Sequence, residues 1–213
     1  MSRLLYSTSM SLDGFVAGPD QGPDHPLGVG GELLHEWMRA LAAWRRDAGL
    51  EGGETNASTA VYEEDGASVR AIIMGRNMFG GGPGEWDEAW KGWWGDDPPF
   101  RMPVFVLTHH AREPLDMKGG TTFTFVTDGI EVALDRARAA AGDGDVAISG
   151  GAGVAKQYLA AGLVDEIGIH LVPVFLGGGV RLFDDPASTG TTFEQVGAVE
   201  APGVTHLTYR VVR

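Results

Sequence analysis

Short apolar runs that alternate with helical segments restrict the fold of this chain more than any other feature. Each run is bounded by Gly, Pro, Asp or polar turn residues, which is typical of buried strands. The predicted strands are residues 3–9, 71–74, 103–107, 122–126, 146–148 and 164–174. The predicted helices are residues 32–46, 56–65, 130–141 and about 154–161. Such alternation predicts an α/β fold with a mainly parallel sheet.

The end of the chain has a different pattern. Residues 193–199 and 205–211 alternate between apolar and polar side chains, and Ala201-Pro202-Gly203 between them is a turn signal. We predict a C-terminal antiparallel hairpin at one edge of the sheet. Because no internal repeat and no low-complexity linker divides the chain, we predict one domain over residues 1–213.

Charge and cysteine content exclude several classes of function. The formal net charge is −13, and no basic patch interrupts it, so we expect neither nucleic acid nor anionic membrane as a partner. The absence of cysteine excludes disulfides, thiolate nucleophiles and cysteine-ligated metals. No signal peptide and no apolar run near the ~18 residues of a membrane span is present, so we expect a cytoplasmic protein.

Three predicted strands end in turns that suit a phosphate group. Ser149-Gly150-Gly151-Ala152-Gly153 joins a strand to a helix, where free N–H groups and the helix dipole favour an anion. Gly75-Arg76 follows a second strand, and an arginine side chain binds phosphate through two parallel hydrogen bonds. The third strand is followed by the polar residues Thr108, His109, His110 and Arg112. Ligands of open α/β sheets bind at such carboxyl ends, so the three turns together predict a nucleotide phosphate site.

A metal site at His109-His110 is the alternative for the third turn. Neighbouring side chains usually point apart, and no third ligand is near in the sequence. We predict no bound metal.

The ordered set of motifs resembles the dihydrofolate reductase-like family, and especially the reductase half of the riboflavin-pathway deaminase-reductase. The resemblance rests on residues 9–17, 73–76, 106–108, 148–151, 163–166 and 173–179, almost end to end. It implies a dihydrofolate reductase-like three-layer α/β fold and a homodimer. The chain has no cysteine for a zinc deaminase segment, so the resemblance concerns the reductase alone.

The resemblance also implies NADPH as the cofactor. Met78 departs from the family pattern, in which classical dihydrofolate reductases have a hydroxyl residue. The implied cofactor-binding residues are Gly75, Arg76, Asn77, Thr108, His109, Arg112, Ser149, Gly150, Gly151, Ala152, Gly153 and Val154.

For the substrate, the resemblance implies Asp13 as a catalytic and substrate-binding residue, with Trp37 and Glu32 on the first helix. Aligning Trp37 with the family's helix tryptophan puts Leu34 where the pterin-binding acid lies, whereas a shifted register puts Glu32 there. The proton donor remains open between Asp13, Glu32 and water, and an acid in that role needs a raised pKa.

The implied function is NADPH-dependent hydride transfer to a small planar heterocycle or a ribosylamino-pyrimidine. Dihydrofolate reduction, a nucleotide-binding module without turnover and a flavin-binding reductase are the alternatives. The four tryptophans of residues 86–94 allow a lid over a planar substrate, a satellite core or a dimer contact.

Overall fold

Strands and helices alternate along the chain, as the sequence predicts, in a computed structural model that describes residues 2–22, 24–184 and 190–212. The strands are β1 (Leu4–Ser11), β2 (Phe15–Ala17), β3 (Val69–Gly75), β4 (Pro103–Leu107), β5 (Leu115–Asp116), β6 (Thr122–Val126), β7 (Asp145–Ser149), β8 (Glu166–Val172), β9 (Val180–Arg181), β10 (Thr192–Ala201) and β11 (Val204–Val212). The helices are α1 (Glu36–Arg39), α2 (Ala42–Asp47), α3 (Ala57–Asp65), α4 (Arg76–Phe79), α5 (Ile130–Ala141) and α6 (Ala152–Ala160), with 3₁₀ turns at Gly31–His35 and Lys118–Gly120.

The first of two units contains the chain up to Tyr6 and Ser68–Val164. Its strands follow the order β1-β7-β3-β4-β6-β5, parallel except for the short β5. Because β3, β4 and β7 are parallel, their carboxyl ends share one edge, and Gly75 pairs in register with Leu107. Helix α5 covers β3, β4 and β7 with a buried alanine and leucine stripe. This unit is the predicted mainly parallel sheet.

The second unit contains Ser7–Ala67 and the chain from Asp165 onward. Strands β8, β11 and β10 are antiparallel neighbours, and β10 and β11 form the predicted C-terminal hairpin. Strands β2 and β9 form a separate antiparallel pair. The mixed α/β fold class with its terminal antiparallel pair is therefore confirmed, whereas the assignment of 1–213 to one domain stays a prediction.

The predicted helix over residues 32–46 is wrong in its continuity. It is a 3₁₀ turn followed by α1 and α2, and Leu41 between them has an extended backbone with φ −70° and ψ 135°. The Ala42 N–H donates to the Glu54 carbonyl, and the Glu54 N–H donates to the Ala40 carbonyl. A bridge to a later segment therefore replaces the helical bonds at this point. Within the described ranges, no helix combines the length and apolar character that crossing a membrane would require.

The segment rich in tryptophan belongs mainly to the core of the first unit. Trp86, Trp90 and Trp94 are partly buried and pack against the cluster that contains Phe79 and Phe123. The Trp90 indole N–H donates to the Phe79 carbonyl oxygen at 3.1 Å. The sequence allowed a lid, a satellite core or a dimer contact for this segment, and the packing of these three side chains corresponds to the satellite core.

Candidate cofactor and substrate site

Two of the three predicted phosphate turns contact each other in the first unit. Strand β3 ends at Gly75, and a Cβ added there would lie 2.8 Å from Cγ2 of Val154 in α6. Likewise, Gly150 has φ +69°, and its Cβ would lie 2.5 Å from Sδ of Met78. Glycine permits the close approach at both positions, and at Gly150 it also permits the left-handed backbone. The structure therefore brings residues 75–78 and 149–154 together, as predicted.

Helix α6 begins directly after the glycine turn. Gly151 has φ +36°, and the helix runs from Ala152 to Ala160 without a side-chain cap on its first N–H groups. Uncapped N–H groups and the positive end of the helix dipole form a ready anion site. Ser149, at the end of β7, precedes this turn. The predicted cofactor residues of this segment therefore lie at the start of α6, and their role in binding stays a prediction.

The third turn is fixed by hydrogen bonds. Thr108 is buried, and its Oγ1 accepts the His110 N–H at 3.1 Å. The Trp86 indole N–H donates to the His110 carbonyl at 2.8 Å, so the tryptophan segment anchors this turn. His109 is exposed at its tip. Sequence reasoning did not connect Trp86 with the turn, because they are far apart along the chain.

Trp86 also brings the Gly75-Arg76 turn and the third turn together. The Arg76 guanidinium carbon lies 3.8 Å from the Trp86 ring centroid, and that of Arg112 lies 5.2 Å from it. Both distances are typical of cation–π contacts. In the described part of the chain, Nε and Nη1 of both arginines are buried and make no hydrogen bond. Two guanidinium groups with unused donors thus flank one indole.

Asp13 in the second unit is held as an anion. Its Oδ1 and Oδ2 accept the N–H groups of Leu176 and Gly177 at 3.2 and 2.7 Å. Hydrogen bonding from the Ser11 hydroxyl and from these two N–H groups lowers the pKa of Asp13 to about 2. A carboxyl with this pKa is ionised at neutral pH, so it accepts hydrogen bonds and has no proton to donate.

A cavity of about 190 Å³ in the second unit contains Trp37. Glu32 lies elsewhere, on the exposed surface, where it pairs with Arg39. The acidic residue that lines the cavity is Glu36, which sequence reasoning did not select. The lining residues are Leu33, Glu36, Trp37, Val172, Pro173, Val174 and Gly203.

A buried polar cluster behind Trp37 was also missed. His170 on β8 and His206 on β11 are cross-strand partners, and their Nδ1 atoms are 2.8 Å apart. Ser7 bonds Nε2 of His170 and Ser58 bonds Nε2 of His206, each at 2.9 Å. Trp37 packs against both imidazole rings. Over the described residues, no group of three or more His, Asp or Glu side chains is arranged to hold a metal ion.

These features define a mixed α/β protein with the dihydrofolate reductase-like fold. The dihydrofolate reductase of Enterococcus faecalis, solved with NADP(H), aligns with a TM-score of 0.53 and 14% identity over 99% of this chain and 97% of that one. A Shewanella sp. PV-4 protein whose description refers to riboflavin biosynthesis aligns with a TM-score of 0.63 and 22% identity over 99% of each chain.

The family model of the RibD C-terminal domain matches residues 3–207, and the chain belongs to that family. The diaminohydroxyphosphoribosylaminopyrimidine deaminase/5-amino-6-(5-phosphoribosylamino)uracil reductase of Thermotoga maritima shares its fold, with a TM-score of 0.56 and 14% identity. This chain aligns over 99% of its own length and 57% of the Thermotoga chain. Among curated proteins there is no significant match. The resemblance inferred from the motifs is therefore confirmed at the level of family and fold.

Proposed function

We propose that this chain is an NADPH-dependent reductase of riboflavin biosynthesis, acting on a ribosylamino-pyrimidine such as 5-amino-6-(5-phosphoribosylamino)uracil. Membership of the RibD C-terminal domain family supports a reductase of that pathway. The name of the Thermotoga protein includes a 5-amino-6-(5-phosphoribosylamino)uracil reductase, which suggests the substrate class. The Enterococcus dihydrofolate reductase with NADP(H) suggests the cofactor.

The observation that carries the cofactor assignment is the unused hydrogen-bonding capacity of Arg76 and Arg112. The Arg112 side chain is only 1% exposed, yet its Nε and Nη1 have no hydrogen-bond partner in the described residues. A buried donor without a partner destabilises a protein unless a ligand satisfies it. Phosphate oxygens suit guanidinium donors in both charge and geometry. The residues present therefore fit a phosphorylated nicotinamide nucleotide.

Each turn has a distinct task in this proposal. The N–H groups at the start of α6, after Gly150 and Gly151, would hold the pyrophosphate. Arg76, Arg112 and the Thr108 turn would hold the 2′-phosphate of the adenosine ribose. When bound, the nicotinamide supplies the hydride, while the protein positions it and excludes water.

On the substrate side, the cavity and Asp13 supply complementary groups. The Trp37 indole and the aliphatic wall of the cavity offer an apolar face to a planar ring, and Glu36 offers one carboxylate. The ionised Asp13 can accept hydrogen bonds from hydroxyl or amino groups of the substrate. Because Asp13 is ionised, the proton of the reduction would come from water or from another acid.

Titration with NADPH and NADH tests the cofactor assignment. We expect Arg76→Ala to raise the Kd of NADPH about tenfold, since one charge-assisted phosphate contact is lost, and to change the Kd of NADH much less. Tryptophan fluorescence would report binding, because Trp86 contacts Arg76. Turnover assays with the ribosylamino-uracil and with dihydrofolate then separate the proposed activity from its alternative. Failure of wild type to bind either nucleotide would contradict the proposal.

Asp13→Asn tests the substrate side. We expect KM for the pyrimidine substrate to rise about tenfold, because an amide cannot replace the charged acceptor, while the NADPH Kd stays unchanged. Since the Asp13 pKa is about 2, the variant should keep the wild-type shape of the kcat pH profile between pH 5 and 8. Loss of a kinetic pKa in that range on substitution would show instead that Asp13 titrates during catalysis.

A further inference from the structure

Two acidic side chains of the tryptophan segment lie beside Arg112 and His110 of the third turn. Glu88 Oε2 is 3.6 Å from Nε of Arg112, and Glu85 Oε1 is 3.4 Å from Nδ1 of His110. The Glu88 backbone carbonyl also accepts a hydrogen bond from Nη2 of Arg112 at 3.0 Å. The carboxylates of this segment therefore occupy the surroundings in which the proposed function places the 2′-phosphate.

These carboxylates satisfy the nitrogen atoms of Arg112 only in part. The Glu85 and Glu88 side chains are 93% and 81% exposed, and ion pairs of exposed groups are weak because water screens them. The Arg112 guanidinium is buried, and in the described part of the chain its Nε and Nη1 still lack hydrogen bonds. A dianionic phosphate offers more charge and more acceptor oxygens than one exposed carboxylate. Phosphate would therefore displace these side chains rather than bind beside them.

Trp86 sets the position of both acids. The guanidinium groups of Arg76 and Arg112 both contact its indole ring, and its N–H donates to the His110 carbonyl. Glu85 precedes Trp86 directly, and its backbone carbonyl accepts Nη2 of Arg76 at 3.4 Å. Because Trp86 packs against the core cluster, it fixes the backbone from which Glu85 and Glu88 reach His110 and Arg112.

We infer that Glu85 and Glu88 are intramolecular competitors of the cofactor's 2′-phosphate and set the affinity for NADPH relative to NADH. This inference rests on the proposed function. In the free protein Glu88 pairs with Arg112 and Glu85 lies beside His110, and binding of a 2′-phosphate requires their displacement. A nucleotide without that phosphate leaves them in place.

The test compares Glu85→Gln/Glu88→Gln with wild type by fluorescence titration of NADPH and NADH. Removing two weak pairs should tighten NADPH binding about three- to tenfold and change NADH binding less than about twofold. Glu113→Gln is the matched control, because Glu113 is an exposed acid next to Arg112 in the chain and neutralising it changes the net charge in the same direction. It should leave the NADPH-to-NADH preference within about twofold of wild type.

The outcomes separate this inference from the function on which it rests. Selective tightening of NADPH in the double variant alone supports the competition. Equal changes for NADPH and NADH, no change, or the same gain in Glu113→Gln would overturn it and leave the reductase assignment intact. If neither nucleotide binds to wild type or to any variant, the proposed function fails and the inference fails with it.

Discussion

Arg112→Leu should weaken NADPH binding about 100-fold and NADH binding less than about threefold, because charge-assisted hydrogen bonds to a buried group contribute about 1.5 to 3 kcal/mol. The guanidinium is enclosed by the Trp86 and Phe125 rings, with its carbon 5.2 and 5.3 Å from their centroids. No water could replace it there without opening this packing. The loss should therefore exceed that in Arg76→Ala, whose arginine is only half-buried.

Leucine keeps most of the apolar volume at position 112, so the variant should remain folded. The protein loses one hydrogen bond to the Glu88 carbonyl, and the free energy of unfolding in urea should fall by about 1 kcal/mol. Arg136→Leu is the control, since Arg136 pairs with Asp128 on the exposed side of α5. An equal loss of NADPH affinity in the control would attribute the effect to net charge. Equal losses for NADPH and NADH in Arg112→Leu would place the 2′-phosphate elsewhere.

Elements defined by local pattern are the ones that sequence reasoning predicts accurately. Helix α5 was predicted over residues 130–141 and has those bounds, since its apolar stripe and the following Gly142 are both local signals. The helix predicted over residues 56–65 corresponds to α3, and Asn56 at its start forms a capping box with Thr59. The predicted helix through Leu41 is wrong because Glu54, thirteen residues later, pairs with this part of the backbone. That competition is not visible in a local periodicity.

The site shows the same division. Glycine at the end of a strand marks the predicted phosphate turns in the sequence, because larger side chains would clash at these positions. Gly75 adjoins Val154, and Gly150 adjoins Met78. The long-range partners of those turns have no such signal. Trp86 reaches His110 only because a long segment folds back against β6. Glu36 and Trp37 share a cavity with residues 172–174, which lie far from them in the sequence. Their roles depend on tertiary structure.

The histidine pair illustrates a second limit. His206 alternates in phase with the buried Val204, so the sequence places it on the inner face of β11. Only the strand register puts it opposite His170, and only packing puts Ser58 on its other nitrogen. Both nitrogens of the buried His206 are hydrogen-bonded, and the ring can also take up a proton, so the free energy of unfolding depends on pH through this residue.

We expect the folded protein to lose about 2 to 3 kcal/mol of stability as the pH falls from 6.5 to 4, through His206 alone. Burial and the neighbouring His170 lower the pKa of His206 to about 4, whereas an unfolded histidine has its ordinary value of 6.5. Between these two values the unfolded chain binds a proton that the folded chain does not. The contribution of His206 to the free energy of unfolding therefore decreases with falling pH in that window and levels off below pH 4.

His206→Leu isolates this contribution. At pH 7 the variant should be about 2 to 4 kcal/mol less stable, because His170 and Ser58 each lose a buried hydrogen-bond partner. Urea unfolding from pH 7 to pH 4.5 should then show a smaller loss of stability than in wild type. His25→Leu removes an exposed histidine and should keep the wild-type dependence. Parallel curves for wild type and His206→Leu would mean that His206 accepts a proton in the folded state as readily as in the unfolded one.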